Sequence, residues 1–155
     1  MSEQGAPVAF HTGVADPVGH ALRLTRKALS LGSRVLLIGE ESVLRELDEQ
    51  LWTADPGSFM AHAHWSPQSR DHSAVRHAPV WLMSAQGAAG HGAPMEVPTE
   101  PQVLINLGLP VPANADRFDK VIEVVSTDAD SRAQGQQRWR RWRDNGVTPL
   151  HHAFS

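Results

Sequence analysis

Apolar residues fall in short runs that alternate with stretches of helical periodicity. Residues 7–12 (PVAFHT) read as a first strand. The next apolar positions, Val18, Ala21, Leu22, Ala28 and Leu29, share one helical face. Asp16 is placed to cap that helix, Pro17 suits its first position and Gly32 its end. Residues 34–39 (RVLLIG) form a near-continuous apolar run, the pattern of a strand buried on both faces. A second helix is expected from near Ser42, with Leu44, Leu47 and Leu51 on one stripe, until Asp55, Pro56 and Gly57 break it. Residues 59–65 (FMAHAHW) fit a short extended segment, 66–78 a polar loop and 80–83 (VWLM) a brief strand. Residues 84–100, rich in Ala, Gly and Pro, predict a mobile loop. Further strands are expected at 103–107 (VLINL) and 121–126 (VIEVVS). Asp128 can cap a last helix that runs to about Asn145 and stops at Gly146, and Pro149 precedes a short tail reaching Phe154. Strands alternating with helices predict an α/β fold with a mainly parallel sheet, and nothing divides residues 1–155 into two domains.

The totals narrow this picture. A chain of 155 residues suffices for one domain with a core, and 41% hydrophobic with 20% charged residues is ordinary for a soluble protein. No apolar run is long enough to cross a bilayer, and MSEQGAPVAF lacks the basic and apolar regions of a signal peptide, so a cytoplasmic location is expected. The absence of cysteine excludes disulfides, thiol catalysis and cysteine-based zinc sites. Net charge is −3, yet residues 138–143 (RWRRWR) hold four arginines, so the rest of the chain carries −7. Recognition of an anion must therefore be local, and the remaining surface repels phosphate.

Catalytic signatures are missing. The first two strands lead into HTGVADP and IGEES, neither of which is a glycine-rich phosphate loop. Glu40 and Glu41 place negative charge where a phosphate would sit. His62 and His64 form an HxH pair that a strand would hold on one face, with Asp71, His72 and His77 nearby in sequence, but no HExxH spacing exists. His151 and His152, adjacent in the tail, would point to opposite sides and chelate poorly. There is no GxSxG elbow, and Asp128 and Asp130 read as charges at a helix start. The expectation is a protein without its own active site, metal or cofactor.

Two segments are specific. On the last helix, Arg132, Gln136, Trp139 and Arg143 form a continuous stripe, with Trp142 on the same side as Trp139 and with Arg138 and Arg141 pointing elsewhere. An aromatic ring beside guanidinium groups suits a partner that carries an apolar group and carboxylates. The same stripe would also suit a stacked base with its phosphate, that is, direct binding of single-stranded nucleic acid. In residues 51–64 (LWTADPGSFMAHAH), Trp52, Phe59 and Met60 flank a turn ahead of His62 and could form a protein-binding patch.

Taken in order, GSRVLLIG, LDEQLWTADPGSFMAHAH, APVWL, QVLINLG, FDKVIEVV and QRWRRWRDNGVTPLHHAF resemble the chi subunit of bacterial DNA polymerase III over nearly the whole chain. The most specific pieces are Leu47, Asp48, Glu49, Leu51 and Trp52, followed by Pro56, Ser58, Phe59 and His62, and the final RWRRWRDNG; Ala61 stands where the family usually has proline. The resemblance implies a single-domain, Rossmann-like three-layer fold. It also implies a non-catalytic accessory protein joining the clamp loader to single-stranded DNA-binding protein, whose acidic C-terminal tail it binds. The family's pocket maps to Val125, Gln136, Trp139 and Arg140, with Gln136 in place of an arginine. Either Arg132, one turn earlier, or Arg143, one turn later, is left to supply that charge. The second implied partner is the psi subunit, or another clamp-loader or polymerase component, with Trp52, Phe59, Met60 and His62 as its candidate surface.

Overall fold

The computed structural model describes residues 7–53, 62–66, 69, 72–84 and 96–154, with the side chains of Trp52, Thr53 and Ala74 left out. The expected helix break at Asp55–Gly57, Phe59 and Met60, and most of the expected loop at 84–100 (residues 85–95) lie outside the described residues. In chain order the elements are β1 (Val8–Val14), α1 (Pro17–Ser30), β2 (Val35–Gly39), α2 (Glu41–Thr53), β3 (His62–His64), α3 (Ser73–Arg76), β4 (Val80–Ser84), β5 (Val103–Asn106), a short 3₁₀ turn (Ala115–Arg117), β6 (Lys120–Ser126), α4 (Ala129–Asp144) and β7 (Leu150–Ala153).

The seven described strands form one sheet in the order β3-β4-β2-β5-β6-β1-β7, and every pairing is parallel. The sequence pointed to a mainly parallel sheet; among the described strands it is entirely so. Parallel crossovers are right-handed, so the direction of each connection fixes the face it covers. The helices after β1 and β2, which carry the chain toward the β3 edge, cover one face: Val18, Ala21 and Leu22 of α1 and Leu44, Leu47 and Leu51 of α2 pack there on Leu37, Leu82 and Ile105. The connections after β5 and β6 run toward the β7 edge and cover the other: Leu109, Phe118 and Trp142 pack there on Leu36, Ile38, Leu104 and Val121. The result is a three-layer α/β fold. Strand β2 is buried along its whole length, as its apolar run required.

The helix ends follow their sequence signals. The Asp16 carboxylate accepts the Gly19 N–H at 3.1 Å with Pro17 at the first helical position, and Asp128 accepts the Ser131 N–H at 2.8 Å. At the end of α4, Gly146 adopts φ +87°, a left-handed backbone that glycine adopts without steric cost. Its N–H donates to the Arg143 carbonyl and that of Val147 to the Trp142 carbonyl, both at 3.0 Å. This paired stop turns the chain back toward the sheet, with Val147 packed on the core.

Two expectations need correction. The polar stretch 66–78 is not only loop: it contains α3, whose Val75 is buried and whose side joins the core with Ala78. The tail after Pro149 is not free: it forms β7, parallel to β1 from Ala9–Leu150 to Thr12–Ala153. Every residue of β7 is exposed, so its strand is held by backbone pairing and not by an apolar pattern.

Candidate functional site

The last helix divides its basic and aromatic residues between core and surface. The sheet beneath it carries Glu123 in the middle of β6, fully buried. Complete burial pushes this carboxyl above its ordinary value, and the Arg138 guanidinium, the Trp142 indole and the Asn106 amide act against that push. Arg138 Nε donates to Glu123 at 2.7 Å and Trp142 Nε1 donates to its other oxygen at 2.9 Å. Arg138 and Trp142 are themselves buried. Trp142 therefore does not share a surface with Trp139, as the helical wheel had suggested, and Arg138 contributes no free charge to the basic segment. Arg132, Arg140, Arg141 and Arg143 remain exposed.

What α4 offers to a ligand is the other edge of its sheet-facing side. Val125, Arg132, Gln136 and Trp139 line one cavity of about 390 Å³, together with Phe10 and Thr12 of β1, Gly135 and His151 of β7. Trp139 is half-buried and stands edge-on to Phe10, ring centres 5.0 Å apart, with the His151 ring 6.2 Å away. Thr12 Oγ1 and His151 Nε2 share a hydrogen bond of 2.7 Å, which fixes that wall. Gly135 is a close-approach glycine: a Cβ there would lie 2.8 and 3.1 Å from the two Val125 methyls. Its bare backbone lets α4 sit low on β6 and gives the cavity its depth. The lining is apolar apart from Arg132, Gln136, Thr12 and His151, and Arg132 is an exposed cation at its border.

Arg140 and Arg143 lie on the same helix but outside this lining. Phe10, Thr12, Gly135 and His151 were not found by sequence reasoning. Phe10 and Thr12 alternate onto the α4 face of β1, a signal the sequence did carry; His151 depends on β7, which the sequence did not announce. His151 and His152 do point to opposite sides, one toward Trp139 and the other toward His11.

Of the second candidate group, Trp52 lies in α2, and Phe59 and Met60 are outside the described residues. The His62 side chain is buried in β3, where its Nε2 lies 2.6 Å from Asp48 Oδ1 of α2; the exposed His64 reaches the same oxygen at 3.4 Å. The HxH pair thus shares a face, as its spacing required, and meets a carboxylate. Among the described residues no group of three or more His, Asp or Glu side chains is arranged to hold a metal ion.

In α/β sheets of this kind ligands favour the crevice beyond the carboxyl ends of the strands. Here that crevice carries the carboxylates of Asp16, Glu40, Glu46, Asp128 and Asp130, with no lysine or arginine in its lining. Asp16 and Asp128 already occupy the amide groups at the starts of α1 and α4. A phosphate would meet repulsion where other members of this fold class bind it. Among the described residues no helix is long and apolar enough to cross a membrane.

Residues 6–149 match the family of the DNA polymerase III chi subunit, HolC. No curated protein gives a significant match. Among solved structures, 27 chains are similar. One is the C-terminal domain of the DEAD-box protein Dbp5, 14% identical, with 96% of this chain and 90% of that one covered and a TM-score of 0.61. Another occurs in the crystal structure of the E. coli DEAD-box protein SrmB bound to regulator of ribonuclease activity A, 14% identical, with 99% of this chain and 92% of that one covered and a TM-score of 0.56. At such identity the likeness concerns the fold alone.

Proposed function

The chain belongs to the DNA polymerase III chi subunit family, and on that premise we propose that it holds the acidic C-terminal tail of single-stranded DNA-binding protein in the cavity beside Trp139. It acts in the cytoplasm as a non-catalytic subunit of the polymerase III holoenzyme, associated with the clamp loader. Trp139 is the observation that carries the reading. Its half-buried ring, with Phe10 on one side and Val125 beneath, is a receptacle for an aromatic side chain, and Arg132 stands at the border to take a carboxylate. Of the two arginines available to replace the charge missing at Gln136, Arg132 lines the cavity and Arg143 does not, which favours Arg132. Arg140 and Arg143 serve as longer-range attraction for the acidic residues that precede the ring.

Titration of a labelled tail peptide by fluorescence anisotropy tests the assignment. The expected affinity is submillimolar to micromolar, about −5 to −8 kcal/mol. Trp139→Ala should weaken it at least tenfold, and an unchanged affinity would refute the pocket. Binding of single-stranded DNA by the same helix draws less support, because Trp142 and Arg138 are committed to Glu123 and leave one ring for stacking. For the psi subunit, or another clamp-loader or polymerase component, Trp52, Phe59, Met60 and His62 stay the proposed surface, on the family resemblance.

A further inference from the structure

The opposite face of the same sheet edge carries a second cleft. Two helices, α1 and α2, cover that face, and they pack on residues of β4, β2, β5, β6 and the end of β1. A cleft of about 400 Å³ opens beside the last turn of α1, bounded by Val103, Asp119, Lys120 and Ile122 and closed at its far end, where Phe154 packs on His11 of β1 and His20 of α1. One wall is an apolar stripe along α1, Leu24, Ala28 and Leu31, at the spacing of successive helical turns. Phe154 forms the far wall. Leu31 and Phe154 are two of the three large apolar residues exposed among the described ones, at 74% and 41%, and both border this cleft. Leu24 and Ala28 are half-buried against the core and Val103 and Ile122 form a buried floor, so Leu31 and Phe154 are the apolar groups this cleft offers to a partner.

The charge at the rim says which kind. The chain has twelve arginines and only two lysines, Lys27 and Lys120, and both line this cleft. Both are exposed, and neither has an ion-pair partner among the described residues. Lysine suits this position: its apolar stem extends the lining while the ammonium stays at the mouth. Against them stands one carboxylate, Asp119. A nucleic acid would require more cations than two. An extended or helical peptide that seats one or two apolar side chains and lays carboxylates on the rim satisfies both features.

We propose that the cleft between α1, Phe154 and the β1–β6 face is a docking site for an acidic, amphipathic segment of a partner protein, separate from the Trp139 cavity on the other face. β7 forms part of both sites, with His151 in the wall of one and His152 in the wall of the other.

The test uses the full chain carrying Trp139→Ala, which disables the first cavity, and the probe hexapeptide Asp-Leu-Asp-Phe-Asp-Asp with its lysine-for-aspartate analogue as control. Amide shifts in ¹⁵N-labelled protein report the position. Shifts centred on Ala28, Leu31, Ser33 and Phe154 with the acidic probe and not with the basic one are expected. Lys27→Glu with Lys120→Glu should weaken binding at least tenfold, and Lys27→Arg with Lys120→Arg should restore it to within a few-fold. Equal affinity in the charge-reversed variant would overturn the proposal, as would shifts confined to the α4 side. So would binding that appears only after residues 1–6 are deleted, which would make the occupant this chain's own N-terminus. A concentration-dependent dimer abolished by Leu31→Asp would instead assign the cleft to a second copy. If the probe shifts this cleft while the tail peptide leaves Trp139 undisturbed in the unmutated chain, the first assignment fails and this one stands.

Discussion

Removing Glu123 while leaving Arg138 in place exposes the logic of α4. Arg138 is 4% exposed and cannot discard its proton, so Glu123→Ala leaves a charged guanidinium in the core. Breaking a buried pair from one side costs about 3–5 kcal/mol. The Trp142 indole, which donates to the other carboxylate oxygen, loses its acceptor as well, for a further ~1–3 kcal/mol. The sum approaches the whole stability of a domain, about 5–15 kcal/mol. Removing both charges with Glu123→Leu and Arg138→Met leaves only the indole unpaired and should cost about 1–3 kcal/mol. Urea unfolding followed by tryptophan fluorescence measures the difference. With a slope of about 2 kcal/mol/M, the single variant should lose roughly 2 M or more of midpoint and the double variant about 1 M. A double variant no more stable than Glu123→Ala would refute the reasoning, because the penalty would then lie in lost packing and not in an orphaned charge. Arg138→Met should also leave tail-peptide affinity unchanged wherever the protein stays folded.

Gly135→Ala should push Val125 and α4 apart; overpacking of about 1–3 kcal/mol outweighs the ~1 kcal/mol gain in helix propensity, and peptide affinity should fall more than stability does, as paired anisotropy and urea titrations would show. Gly146→Ala forces a side chain into φ +87° and should cost about 1–2 kcal/mol by thermal unfolding. His11 bonds His20 through a 2.8 Å ring-nitrogen contact, and burial, with His20 next to it, lowers its pKa to about 4 from 6.5. The unfolded chain therefore binds the proton first, so this contribution is present above about pH 6.5 and is lost as the pH falls toward 4. Allowing for screening by solvent, the loss is on the order of 2 kcal/mol, and a denaturation series over that range should flatten in His11→Phe.

Much of the framework could be read along the chain because it rests on local rules. Asp16, Pro17 and Gly32 bounded α1, and the apolar run RVLLIG marked a strand covered on both sides. What escaped was whatever depended on a neighbour distant in sequence. LHHA has no alternation, so β7 exists only because β1 offers it a backbone edge. Trp142 and Trp139 look equivalent on a wheel; they part company because Glu123 draws one inward. A lone carboxylate inside VIEVV was the available clue, since a buried acid needs a donor. Val125, Arg132, Gln136 and Trp139 converge on one cavity, but its other half comes from β1 and β7.

The place of β1 in the sheet has a consequence for how the protein is made. Its partners are β6 and β7, with Val8 beside Val121 and Ala9 beside Leu150. The strand synthesised first is thus the one whose neighbours are synthesised last. While the chain emerges, both edges of this apolar strand stay open, available to chaperones or to other nascent chains. Such distant parallel pairings also close slowly. Biogenesis is therefore most vulnerable while the residues between β1 and β6 are being translated, when β1 has been made and its partner strands have not.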